Sequence, residues 1–226
     1  MFPHNLLRFS CLLGSILVAS GAQSASAQQA TMQAQIVADG MCCNGCAQKI
    51  AAQLYAAPGV TNVQADVPSH TLTVTFRPSP KLTFGGIWGA VERGDGKPSR
   101  LTVAQTTYTL QRPEQLKLDQ PLQPGQYWVV VEKLKSDQDT ALLTKQLSSI
   151  RGVKSVKFDA SSKTFFVETS PTDILSPFTA QTVVSETGHS MVTITGPYGV
   201  FAVERGAQQA NRSTASQQPQ VQGTIR

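Results

Sequence analysis

Asp39-Gly40-Met41-Cys42-Cys43-Asn44-Gly45-Cys46 places three thiols within one five-residue stretch, at the point where an alternating apolar run gives way to a helical pattern. Cys43-Asn44-Gly45-Cys46 is a C-x-x-C. Two intervening residues let both sulfurs face one spot when the first cysteine sits in a loop and the second in the first turn of a helix. Gly45 relieves crowding in so tight a loop. Unpaired amides and the positive dipole end at a helix start favour thiolate over thiol. Two converging thiolates are soft ligands, suited to Cu(I), Zn(II) and other thiophilic ions.

Working outward, Met32, Ala34, Ile36 and Ala38 alternate with more polar positions, which predicts a half-buried strand before the cysteines. After them Ala47, Ile50, Ala51 and Leu54 recur at helical spacing, and Pro58-Gly59 stops the helix. Val60 to Val67 and Thr71 to Phe76 read as strands around a Pro68-Ser69-His70 turn. Pro78 and Pro80 open a second helix with an apolar stripe of Phe84, Ile87, Trp88 and Val91. Leu101 to Leu110 completes the set as a fourth strand. The order β-α-β-β-α-β closes into a split-βαβ, ferredoxin-like sandwich.

The 226-residue chain has room for two such units. Residues 111–125, with Pro113, Pro121 and Pro124, read as a linker, and the pattern then returns at an offset of 93. Gly59-Val60-Thr61-Asn62-Val63 matches Gly152-Val153-Lys154-Ser155-Val156. Ile36 meets Val129, Ile50 meets Leu143, Leu54 meets Leu147 and Val74 meets Val167. The expected class is therefore α+β, two ferredoxin-like βαββαβ sandwiches in tandem over residues 31–110 and 126–205. A third helix is expected from about Asp139 to Ile150. A fourth follows Ser170-Pro171, with Pro177 kinking or shortening it. The second copy carries Lys135, Ser136 and Asp139 opposite Cys42, Cys43 and Cys46, and Ser136 and Asp139 are hard, weak ligands that do not suit a soft ion. Residues 206–226 are Gln/Ser/Thr/Ala-rich and read as a disordered tail.

Residues 1–27 read as a secretory signal: Arg8, a short apolar run from Phe9 to Ser20, and a small-x-small site at Ala25-Ser26-Ala27. Cleavage near Ala27 gives an exported chain, periplasmic or secreted, with no membrane span in its mature part. Of four cysteines in the sequence, Cys11 leaves with the signal and three remain in one loop, too close together for a disulfide framework. An oxidising compartment favours a Cys43–Cys46 disulfide unless metal or a reductant protects the pair. A formal net charge of +5, without Lys/Arg runs or basic–aromatic interleaving, argues against nucleic acid as a partner.

Gly40-Met41-Cys42-Cys43-Asn44-Gly45-Cys46 at the end of the first strand resembles the heavy-metal-associated domain, whose pattern is Gly-Met-x-Cys-x-x-Cys. That family includes copper chaperones, modules of copper-pumping ATPases and a periplasmic mercury-binding protein. The resemblance implies that Cys43 and Cys46 bind the metal and that Met41 points inward to brace the loop. It covers residues 31–110 well and residues 127–204 only as a scaffold. Cys42 stands where the family has a small polar residue. It is expected to point away from the pair, and it is also a candidate third ligand. Gly96-Lys97-Pro98-Ser99 resembles the loop beside the thiolates, where copper chaperones place a lysine. Lys97 there would offset the net negative charge of two thiolates and Cu⁺.

The expected function is non-enzymatic: an exported protein that sequesters or transfers a thiophilic ion, Cu(I) foremost and Hg(II) or Zn(II) as alternatives, to a metal-transferring partner protein. The rival classes are a thiol–disulfide oxidoreductase and a structural or interaction module with an oxidised C-x-x-C. Against the oxidoreductase, no Trp precedes Cys43 and no Pro lies within the motif. His70 and His189 read as surface residues. Trp88, Trp128 and Phe165-Phe166 read as core.

Overall fold

The computed structural model describes residues 31–116 and 122–206. The segment expected to be a signal, part of the expected linker and the tail from residue 207 lie outside the described residues. Alternation makes the strands: in β1 (Met32–Ala38) Ala34, Ile36 and Ala38 are buried while Gln33 and Gln35 face solvent. Ala47, Ile50 and Leu54 put one face of α1 (Asn44–Tyr55) into the core. The chain leaves that helix through Gly59, whose φ of 90° lies in the left-handed region. β2 (Val60–Asp66) and β3 (Thr71–Phe76) follow. Thr83 then caps α2 (Phe84–Arg93) by accepting from the Gly86 amide at 3.0 Å.

Where a single fourth strand was expected, the chain makes a hairpin of β4 (Pro98–Val103) and β5 (Thr106–Gln111). Val103 pairs with Thr106, so the turn is the two residues Ala104-Gln105, and Ala104 takes a φ of 50°. The second half runs β6 (Gln126–Glu132), α3 (Asp137–Ser148), β7 (Val153–Asp159), β8 (Thr164–Thr169), α4 (Pro177–Glu186), β9 (Ser190–Gly196) and β10 (Gly199–Arg205). Pro177 does not kink α4; it opens it as the first helical residue, where its missing N–H costs nothing.

The ten strands form one sheet in the order β2-β3-β1-β4-β5-β10-β9-β6-β8-β7, with every pairing antiparallel. Each half keeps the expected ferredoxin-like order, β2-β3-β1-β4 and β7-β8-β6-β9, but the two are joined edge to edge in one sheet rather than standing as separate sandwiches. The extra strands β5 and β10 pair over six residues, from Val200 opposite Gln111 to Arg205 opposite Thr106, and fuse the halves. Both halves feed one hydrophobic core. At the seam Phe201 lies with its ring centroid 5.0 Å from Phe178, 5.9 Å from Trp88 and 6.0 Å from Tyr108, so α2, α4, β5 and β10 meet in one aromatic cluster.

Trp88 and Phe165 are core residues as expected, but Trp128 and Phe166 are not: they are 42% and 37% exposed. Strand alternation sends them to the open face of the sheet. There they pair across β6 and β8 in an edge-to-face contact at 6.1 Å.

Candidate metal centre

The thiol loop is held on its N-terminal flank by backbone. The Asp39 amide donates to the Lys97 carbonyl at 3.2 Å and the Gly40 amide to the Gly96 carbonyl at 2.8 Å. Ser99 Oγ donates to Asp39 Oδ1 at 2.8 Å. Gly40 is required by contact: a Cβ there would lie 2.3 Å from the Asp95 carbonyl oxygen. Met41 is fully buried and anchors the loop from below. We expect Gly40→Ala to cost about 1–3 kcal/mol, the range for overpacking, and to separate the thiol loop from residues 95–97. Chemical denaturation and amide exchange of Asp39 and Gly40 would check it.

On this base Cys43 is the N-cap of α1, with extended backbone (φ −157°, ψ 168°), and its Sγ accepts from the Cys46 amide at 3.3 Å. That interaction aims Cys43 Sγ over the first turn, where Cys46 Sγ lies 3.0 Å away. Cys42 does not point aside as expected: its Sγ is 3.3 Å from Cys46 Sγ. All three sulfurs lie within 4.8 Å of one another, free of disulfide, with Cys42 and Cys43 exposed and Cys46 partly covered. The Cys46 thiol is lowered to about 7, chiefly by hydrogen bonding with Cys43, then with Cys42 and the loop backbone. Cys42 moves the other way, raised foremost by its hydrogen bond with Cys46.

Lys97 occupies the loop bonded to Asp39, with a φ of 48° and an exposed side chain. Its charge acts on Asp95, whose carboxyl is lowered first by a hydrogen bond from Lys49, then by the charges of Lys49 and Lys97. The Lys49–Asp95 ion pair ties α1 to the α2–β4 loop and was not singled out from sequence. Its signal was available: Lys49 falls one helical turn after Cys46.

The second half shows what the loop becomes without sulfur. Ser136 caps α3 with nearly the same backbone as Cys43 (φ −148°, ψ 162°). Asp139 completes a capping box by accepting from the Lys135 and Ser136 amides at 3.0 and 3.1 Å. His189 is no surface histidine: its side chain is 11% exposed, with Nε2 3.7 Å from Asp139 Oδ2. Residues that held sulfur in one half serve helix capping in the other.

Residues 35–93 match the family model of the heavy-metal-associated domain. No curated protein matches the chain. Among solved structures the chain is similar to the water-soluble region of the P-type ATPase CopA from Bacillus subtilis, at 16% identity and a TM-score of 0.30, covering 87% of this chain and 99% of that one. It is also similar to the N-terminal soluble domains of CopA from the same organism, at 18% identity, a TM-score of 0.30 and coverage of 73% and 94%. A third similarity is to the N-terminal extension of CzcP from Cupriavidus metallidurans, at 13% identity, a TM-score of 0.24 and coverage of 70% and 97%.

Proposed function

We propose, from the match of residues 35–93 to the heavy-metal-associated domain, that the chain binds one thiophilic ion through Cys43 and Cys46 and carries it without chemical change. The observation that bears the proposal is the 3.0 Å approach of two free sulfurs at an accessible helix start. Cu(I) is the foremost ion, because a soft monovalent ion is satisfied by few thiolates. Hg(II) and Zn(II) are the alternatives. A site with so few protein ligands lets a partner's thiolate enter before the first ones leave, so the ion passes between proteins without entering water.

The proposal includes export, from the composition of residues 1–27, and descent of the second half from a copy of the first. Elements of the two halves start 93 residues apart at Asn44 and Asp137, Val60 and Val153, Thr71 and Thr164, and Thr106 and Gly199. No helix among the described residues is long and apolar enough to cross a membrane.

One observation favours a second reading: a Cys46 thiol near 7 beside a second thiol is also the equipment of a thiol–disulfide exchanger. Two assays separate the two. Titrating the reduced protein with Cu(I) against a chromophoric competitor should give one ion per chain. Disulfide reduction with a model substrate should show no turnover above free dithiol. Turnover dependent on Cys43, with no Cu(I) or Hg(II) uptake, would replace the carrier by the exchanger.

A further inference from the structure

We propose, resting on the metal-binding reading of the same loop, that Cys42 is a third ligand and that the loop is a three-thiolate site for a soft ion that accepts three sulfurs in a pyramid. Cys46 is the central donor, 3.0 Å from Cys43 and 3.3 Å from Cys42. Metal–thiolate bonds of about 2.3 Å bring one ion within reach of all three sulfurs after small side-chain rotations.

The fold does not need a thiol at position 42. Met41 fills the core and Cys43 caps the helix, whereas Cys42 is exposed and directed at the Cys46 sulfur. The second half makes the same turn with a lysine, Lys135, at the corresponding place. What Cys42 adds is therefore a donor. All three donors come from one five-residue stretch, so one short loop supplies the whole set. Cys42 and Cys43 are exposed, which leaves the site open to solvent. Among the described residues, the grouping of metal-ligating side chains at this loop is these three cysteines alone. That arrangement suits an ion whose fourth direction is occupied by its own lone pair.

Arsenous acid is the probe. Three As–S bonds form and three As–O bonds break. Each thiol proton leaves with a hydroxide as water, and arsenic stays trivalent throughout. The experiment uses the reduced full chain with Cys11→Ser in every sample, alongside Cys42→Ser, each titrated with arsenite and separately with Hg(II). The original loop should lose three titratable thiols per arsenic and show three As–S neighbours by X-ray absorption. Cys42→Ser should keep an oxygen on arsenic and bind it about tenfold more weakly or worse, at least the loss that removing an outer-shell partner brings. Both should take one Hg(II) through the remaining pair. Equal arsenite binding by the two proteins, or two As–S neighbours in the original, overturns the third ligand and leaves the pair standing. Absence of Hg(II) binding in both overturns the pair and the third ligand together.

Discussion

Phe201→Ala is expected to lower stability by about 3–5 kcal/mol, the range for emptying a fully buried phenylalanine site. Phe201 is fully buried and touches Phe178, Trp88 and Tyr108, drawn from α4, α2 and β5. Little can collapse into the vacancy, because the strand that carries Phe201 and the one that carries Tyr108 are fixed to each other by the β5–β10 ladder. For a chain of this size each kcal/mol is worth about 2–4 °C in Tm. The loss should appear as one cooperative transition in which both halves melt together, since the ring sits where their cores join. Calorimetry with probes in each half would check it. Two resolved transitions, with only the later half displaced, would show that the seam carries little energy. Trp128→Ala, on the open sheet face, is the control and should change stability far less.

Cys46→Ser should abolish stoichiometric Cu(I) binding, and Cys43→Ser should weaken it, leaving only Cys42 and Cys46 as donors. Affinity should fall by more than the about 10–100-fold that loss of an outer-shell partner costs, because a hydroxyl is a hard and poor donor to a soft ion. Cys46 should be the more sensitive position, being within reach of both other sulfurs. The fold should survive each change: serine at position 43 can cap α1 as Ser136 caps α3. Binding should also weaken as pH falls through about 7, where the Cys46 thiolate takes up a proton that competes with the ion. Competition titrations at several pH values, with circular dichroism on the same samples, test all of this. Undiminished Cu(I) binding by the serine variants would remove the site from this loop.

Much of this was readable from the residues. Alternation gave β1, helical spacing gave the buried face of α1, and Met41 was placed in the core. The spacing of Cys42, Cys43 and Cys46 put three sulfurs in one loop. What was missed depends on partners distant in sequence or on turns without the usual residues. The Ala104-Gln105 turn contains no Gly, Asn or Pro, so the run from Leu101 to Leu110 read as one strand. The β5–β10 pairing joins Thr106 to Arg205, and no local period encodes it. Trp128 and Phe166 look like core residues by type, and their exposure follows from which face the register assigns them. His189 was misread because its partner, Asp139, lies fifty residues away along the chain. Cys42 was misdirected because neighbouring residues on a strand point apart, whereas the chain here is already turning into the helix cap.

Joining at β5 and β10 also governs what happens when the chain is cut. Two free-standing sheets of this kind would present four unpaired borders, and fusion leaves two, at β2 and β7. Separating the halves after such a cut would therefore uncover two rows of amides and carbonyls that ordinarily satisfy each other. Each severed piece would carry a ready-made template for its own kind, so the isolated first half should be recovered as a head-to-head pair stitched along β5 rather than as a lone monomer.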